Sequence, residues 1–439
     1  MISRRYLFLI ISFLLLGFLL RMGAVKWNSF VHADVGMYAR AADSLAKFGH
    51  FKISDDVFQP HLYSLKEKGG RFLEHNPLWP FMTAGLLRVG FGSSYFSLKI
   101  LSFLSGVFLM ILTYLVALKL AGRNTAFLSL FFVSFSYLLI DYSGNGSFYI
   151  FQAFIYLLFL FLVLSDRRPK IHIWIGPVIG VGLLINNQSL VLLASYFFWL
   201  LIVFRKNLKE FFRRFILALF FAALVYSPWL VRNELLFGKP IYTSIDIVYF
   251  WQKLGAERII KDNVISFNLS AKTYLDLLKK VFTFWLPHNL YYINRQLFIL
   301  APLVYIFSAF LFIEILFKKN REHLKKLLPI FLILIFQILI SAVWPVTKFR
   351  FFVPMLPLVF ILGSYYIFNF ISDRNSLRKI VLVSSVAALI VFSVLTYFST
   401  PSHTYYYGGT VTADIFNEKG ESKFINDLEL GKLNPFYND

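Results

Sequence analysis

The sequence predicts an all-α, polytopic membrane protein with about eleven transmembrane helices, and three observations carry this. Of the 439 residues, 58% are hydrophobic and only 15% charged, where a soluble domain exposes far more charge. The apolar residues form runs of ~20, the length that crosses a bilayer as a helix. Lys and Arg gather in short tracts between those runs. The net charge of +21 is thus the signature of cytoplasmic loops rather than of a nucleic-acid surface. Cys is absent, which excludes disulfides, zinc–thiolate sites and a Cys nucleophile.

The first element is the apolar run from Tyr6 to Leu20 behind Arg4-Arg5. It resembles a signal sequence, but Arg21-Met22-Gly23 is a poor cleavage site, so it reads as an uncleaved first helix. The eleven expected spans are 6–25, 96–118, 124–141, 147–164, 171–186, 189–204, 215–231, 297–317, 327–344, 351–370 and 380–398. Segment 77–91 is shorter, begins with prolines and carries Arg88. If it crossed, Arg4-Arg5 would face the side opposite every later basic tract. The positive-inside rule therefore makes it an interfacial helix, with the N-terminus inside and the C-terminus outside.

This orientation leaves three long segments outside: 26–95, 232–296 and a tail over 399–439. The expected domain organisation is one membrane domain over 1–398 followed by that tail. Irregular polar backbone cannot sit in lipid, so function is expected on the outer surface.

The first outer segment holds His32-Ala33-Asp34-Val35-Gly36-Met37-Tyr38-Ala39. Met37, Ala41, Leu45 and Phe48 fall on one face at helical spacing, which predicts an amphipathic helix over 36–48 with Asp34 at its start. Asp34 is there either a helix cap or a working carboxylate. Glu74-His75-Asn76-Pro77-Leu78 leads into the interfacial helix. Its carboxylate and imidazole either bind a metal or phosphate, or form a polar entry to the interface. Asp141 ends the third span in a short loop on the same side as Asp34. Two carboxylates on one face suit acid–base or metal chemistry. Arg232, Lys348 and Arg350 are cations at the outer boundary, against the positive-inside trend. They either snorkel to headgroups or bind a phosphate there. The span interiors hold almost no charge beyond Glu314, and Gln152 and Gln337 are neutral, which counts against an ion-coupled transporter.

Four segments together resemble the GT-C glycosyltransferases, in the branch of protein O-mannosyltransferases and lipid A aminoarabinose transferases (family 39-like). Asp34-Val35-Gly36-Met37-Tyr38-Ala39 is similar to the family's D-E-x-x-Y-A first-loop motif. Glu74-His75-Asn76-Pro77-Leu78 resembles E-K-P-P-L. Pro228-Trp229 with Arg232-Asn233 and Phe237-Gly238 resembles P-W-x-x-R-N-x-x-x-F-G. Lys348-Phe349-Arg350-Phe351 with Pro354 and Pro357 resembles R-Y-x-x-P-x-x-P. The segments come in the family's order and cover most of residues 1–370.

The resemblance implies an inverting transfer of a sugar from a polyprenyl-phosphate carrier to a hydroxyl of a lipid, glycan or protein, at the outer face of the cell membrane. It makes Asp34 the general base and Asp141 a second functional acid. Arg232, Lys348, Arg350 and His75 become the groups that hold the donor phosphate. Glu74 falls where some relatives have a divalent-metal ligand, so a divalent metal ion is the cofactor it admits. The sequence departs from the pattern at Val35, His75 and Asn76. One carboxylate of the acidic pair and the Lys of the second motif are missing. Two other readings compete: a non-catalytic translocase of lipid-linked saccharide, which does not need Asp34, and a membrane scaffold that tolerates substitution at Asp34 and Arg350.

Overall fold

The computed structural model describes residues 4–27, 30–49, 51–53, 71–72, 76–165, 172–237, 240, 257–261, 264–268, 271–318, 321–343, 349–369, 375–399 and 410–412. Helix dominates, and apolar helices occupy all eleven expected places. In chain order the helices are α1 (Arg4–Trp27), α2 (Ala33–Phe48), α3 (Leu78–Arg88), α4 (Ser94–Ala121), α5 (Arg123–Phe135), α6 (Tyr137–Gly144), α7 (Tyr149–Val163), α8 (His172–Ile185) and α9 (Leu190–Val203). They continue with α10 (Leu208–Phe237), α11 (Ala271–Lys280), α12 (Leu286–Leu300), α13 (Val304–Lys318), α14 (Arg321–Ala342), α15 (Leu356–Asn369) and α16 (Asn375–Ser399). Among the described residues, three helices have both the length and the apolarity to cross a membrane: Tyr6–Lys26, Ser94–Ala121 and Leu208–Leu235. The pair α5–α6, bent by 57°, makes a fourth, and seven shorter apolar helices fill the other places.

Local chemistry sets these boundaries. The Ser93 hydroxyl accepts from Phe96 N at 3.2 Å and caps the start of α4. Ser136 is extended (φ −66°, ψ 117°) and splits the third expected span into α5 and α6. The eighth expected span, 297–317, is corrected in the same way. Its first residues belong to α12, the chain breaks at Ala301-Pro302-Leu303 with Leu303 at φ 31°, and α13 starts only at Val304. A proline there has no N–H to continue the ladder.

Among the described residues, three small antiparallel ladders add to the helical fold. Strands β1 (Phe30–His32) and β6 (Thr410–Thr412) pair, as do β2 (Lys52–Ile53) with β3 (Arg71–Phe72), and β4 (Glu257–Lys261) with β5 (Val264–Asn268). All six strands lie in the long segments 26–95, 232–296 and 399–439. The β1–β6 pair lays part of the tail against the start of α2.

The tight contact of α8 with α10 shows how the bundle packs without help from water. Gly176 and Gly180, four residues apart, face Ala218, Ala222 and Val225. A Cβ on Gly180 would lie 2.7 Å from Val225 Cβ and 2.8 Å from Ala222 O. This is the small-xxx-small contact that brings membrane helices together. The opposite face of α10 carries Phe212, Ile216, Phe220 and Leu224, all exposed, as a lipid-facing stripe requires. Gly180→Leu is therefore expected to force the helices apart at a cost of about 1–3 kcal/mol. Thermal unfolding in detergent should show a lowered midpoint, and an unchanged midpoint would contradict this contact.

Candidate active site

The site is built around the turn between α6 and α7. All of α6 is buried, including Asp141 at 2% exposure. This corrects the expectation of a loop acid: the helix restarts after the Ser136 break and runs through Gly144, packed on α1 and α4. A carboxylate at that depth is costly unless held by polar groups.

Beyond α6 the chain turns through Asn145-Gly146-Ser147, with the Ser147 N–H bonded to Asn145 Oδ1 at 2.9 Å. Gly146 has φ +82°, a conformation that disfavours a side chain. Its N–H donates to Ser102 Oγ of α4 at 3.1 Å, and its carbonyl accepts from Trp79 Nε1 of α3 at 2.9 Å. A Cβ here would stand 3.1 Å from Val35 Cγ1. The turn thus touches the residue that follows Asp34 and the helix that follows Glu74-His75.

An aromatic chain continues from it. Tyr38 of α2 meets Phe148 edge-on at 5.8 Å, and Phe148 stacks on Tyr149 at 4.2 Å. The Arg350 guanidinium lies 5.6 Å from the Tyr149 ring centre and 5.8 Å from that of Phe351. Arg350 sits in a 3-10 turn over Phe349–Phe352 and is buried. The first, second and fourth motif segments therefore meet at one place, with Asp141 on the helix that leads into it.

Arg232 of α10 is linked to α3 through Phe51. Its guanidinium lies 4.4 Å over Trp229 and 5.5 Å from Phe51, and Nη1 donates to Asn233 Oδ1 at 2.9 Å. Phe51 in turn packs on Phe81 of α3 at 5.3 Å. Cation–aromatic contacts of this kind hold a guanidinium in place and contribute about 0.5–2 kcal/mol each. A guanidinium so held presents a fork of N–H donors suited to a phosphate.

Asp34 is the second residue of α2; its side chain lies outside the described residues. Glu74, His75, Lys348 and Gly238 also lie outside them. Among the described residues no three His, Asp or Glu side chains come together as a metal site. The donor set expected around Glu74 is therefore not assembled from described residues.

Two buried cations escaped the sequence reading, which held the span interiors to be nearly free of charge. Arg21 of α1 is fully buried; its Nη2 donates to Val133 O at 2.8 Å, and Nη1 to Ser134 O at 3.3 Å and Gly17 O at 3.1 Å. The Val133 and Ser134 carbonyls end α5, where the break leaves them without helical partners, so a cation is well placed there. Lys99 of α4 donates to Val25 O at 3.2 Å and lies 5.2 Å from the Tyr95 ring. The signal for both was an ionisable residue inside an apolar run. Here they tie the helices that carry α6.

Residues 74–231 match the family model described as dolichyl-phosphate-mannose-protein mannosyltransferase. No curated protein matches the chain. Among solved structures, the apo oligosaccharyltransferase of Archaeoglobus fulgidus is similar with a TM-score of 0.61 at 13% identity, over 96% of this chain and 59% of that one. The archaeal enzyme AglB of that organism, in complex with an inhibitory peptide and a dolichol-phosphate, is similar with a TM-score of 0.58 at 13% identity, again over 96% of this chain and 59% of that one. ArnT from Cupriavidus metallidurans bound to undecaprenyl phosphate gives a TM-score of 0.56 at 14% identity, over 97% and 72%. The chain thus spans about three-fifths of the archaeal enzyme's length. These likenesses establish the GT-C fold that the four motifs suggested.

Proposed function

From a GT-C fold in which three of the four motif segments meet at one turn, we propose that the chain is an inverting glycosyltransferase that uses a sugar carried on a polyprenyl phosphate. The observation that carries this reading is the convergence of Val35, Trp79 and Arg350 on the Gly146–Tyr149 turn. The relatives by fold support it, since one was solved with dolichol-phosphate and another with undecaprenyl phosphate.

The acceptor hydroxyl attacks the anomeric carbon while the bond to the carrier phosphate breaks, so the configuration inverts in one step. Asp34 takes the hydroxyl proton as the new bond forms. Arg350 and Arg232, with Lys348 and His75, balance the charge that grows on the departing phosphate. The buried Asp141 supplies the second acid of the site. The reaction occurs at the outer face of the cell membrane, with the N-terminus cytoplasmic and residues 1–398 forming the membrane domain.

The test is a transfer assay on full-length protein in nanodiscs. A panel of radiolabelled polyprenyl-phosphate sugars is offered with crude membrane acceptors. Label is expected to move from one donor class to an acceptor and to leave free polyprenyl phosphate. No transfer from any donor by folded protein would contradict the reading and favour a translocase.

A further inference from the structure

Between α8 and α9 the chain passes through a 3-10 turn, Asn187–Ser189, preceded by Asn186 in extended conformation. The residues on either side of Asn187 are anchored in the bundle. Asn186 Nδ2 donates to Gln152 Oε1 of α7 at 3.4 Å, and Gln152 Nε2 donates to the Tyr156 hydroxyl at 3.1 Å. That hydroxyl donates to Gln337 Oε1 of α14 at 2.8 Å, and Gln337 Nε2 returns to Gln188 Oε1 at 3.2 Å. Gln152, Tyr156 and Gln337 are fully buried, so the centre of this ring is shielded from solvent and holds the turn fixed.

Asn187 serves a different pair of neighbours. Its Oδ1 accepts from Asn76 Nδ2 at 3.0 Å and from the Tyr226 hydroxyl at 3.3 Å. Asn76 also donates to Leu183 O. Asn76 directly follows Glu74-His75, and Tyr226 lies on α10, which carries Arg232. One amide oxygen therefore ties the second motif segment to the helix of the third.

We propose that Asn187 is a positioning residue for the donor-phosphate site: its side-chain oxygen ties Asn76, at the entry to α3, to α10 from an anchored turn. The inference rests on the transferase reading above and adds a residue outside the four motifs. It also explains why Asn76 stands where the resemblance expects a proline, because a proline has no side-chain donor for Asn187.

The test compares Asn187→Leu, which removes the acceptor, with Asn187→Asp, which keeps an oxygen acceptor for both partners. Two readouts are used on full-length protein in nanodiscs. The chain has no Cys, so a spin label at Gly85→Cys, an exposed site on α3 with open space around it, reports the mobility of the segment after Asn76. Asn187→Leu is expected to raise the label's mobility and to raise the donor KM about tenfold, with kcat within about twofold of the unsubstituted enzyme. Asn187→Asp is expected to restore both. Tyr226→Phe should add nothing in the Asn187→Leu background. An unmoved label with unchanged KM, or a loss of rate that merely tracks the folded fraction, would overturn the proposal. If the unsubstituted protein moves no sugar but the label shows the same difference, the positioning tie stands and the transferase reading fails.

Discussion

Asp34→Asn is expected to lower sugar transfer by about 10²–10⁴-fold, the contribution of a positioned general base. The substitution keeps size and hydrogen-bonding capacity but leaves an amide that cannot accept the acceptor proton. Folding and donor binding should therefore survive. The expected pattern is a kcat collapse with donor affinity within a few-fold of the unsubstituted enzyme, measured by single-turnover transfer and by binding of a labelled carrier phosphate. Asp34→Glu should retain part of the rate, because it keeps the carboxylate and loses only its position. Normal turnover by the Asn variant would remove Asp34 from the mechanism.

Substitution of Arg350 is expected to have the second largest effect. The guanidinium is buried and lies 5.6 Å from the Tyr149 ring centre. Replacing it by Met keeps the bulk and removes the charge. Removing one charge-stabilising donor of this kind costs about 10²–10³-fold in kcat. Arg350→Met should thus lose that factor and weaken carrier-phosphate binding. Arg350→Lys should recover only part, since an ammonium is a point charge without the planar fork. Full activity in Arg350→Met would mean that the cation serves packing alone.

Much of the fold was legible because apolar run length is a direct consequence of the bilayer. Every expected span coincides with an apolar helix. The failures have local causes. Ser136 does not read as a helix breaker, so the α5–α6 bend and the burial of Asp141 were hidden. Helix α11 mixes lysines, and α12 Asn, His, Arg and Gln, with apolar residues, and 232–296 therefore read only as a long loop. Strands of two to five residues carry too little pattern to see. The pair Gly176 and Gly180 stands in the sequence, but its packing against α10 could not be read there.

The candidate site was legible as four segments and not as one place. The motifs named Asp34, Arg232 and Arg350, and the structure brings the segments of the first, second and fourth together at Gly146–Tyr149. That turn carries no motif signal of its own. Arg21 sat in plain view inside the first span, read only as a failed cleavage site. Asn187 could not have been found from sequence, because its importance lies in two partners more than 35 residues away on either side.

The most direct test of the central claim is the stoichiometry of carrier release. Purified protein in nanodiscs is given a polyprenyl-phosphate sugar and its acceptor, and free carrier and glycosylated product are counted together by mass spectrometry. The account predicts one polyprenyl monophosphate released for each sugar transferred, with inverted anomeric configuration, and neither product from Asp34→Asn. Intact donor recovered on the opposite leaflet, with no carrier released, would contradict it.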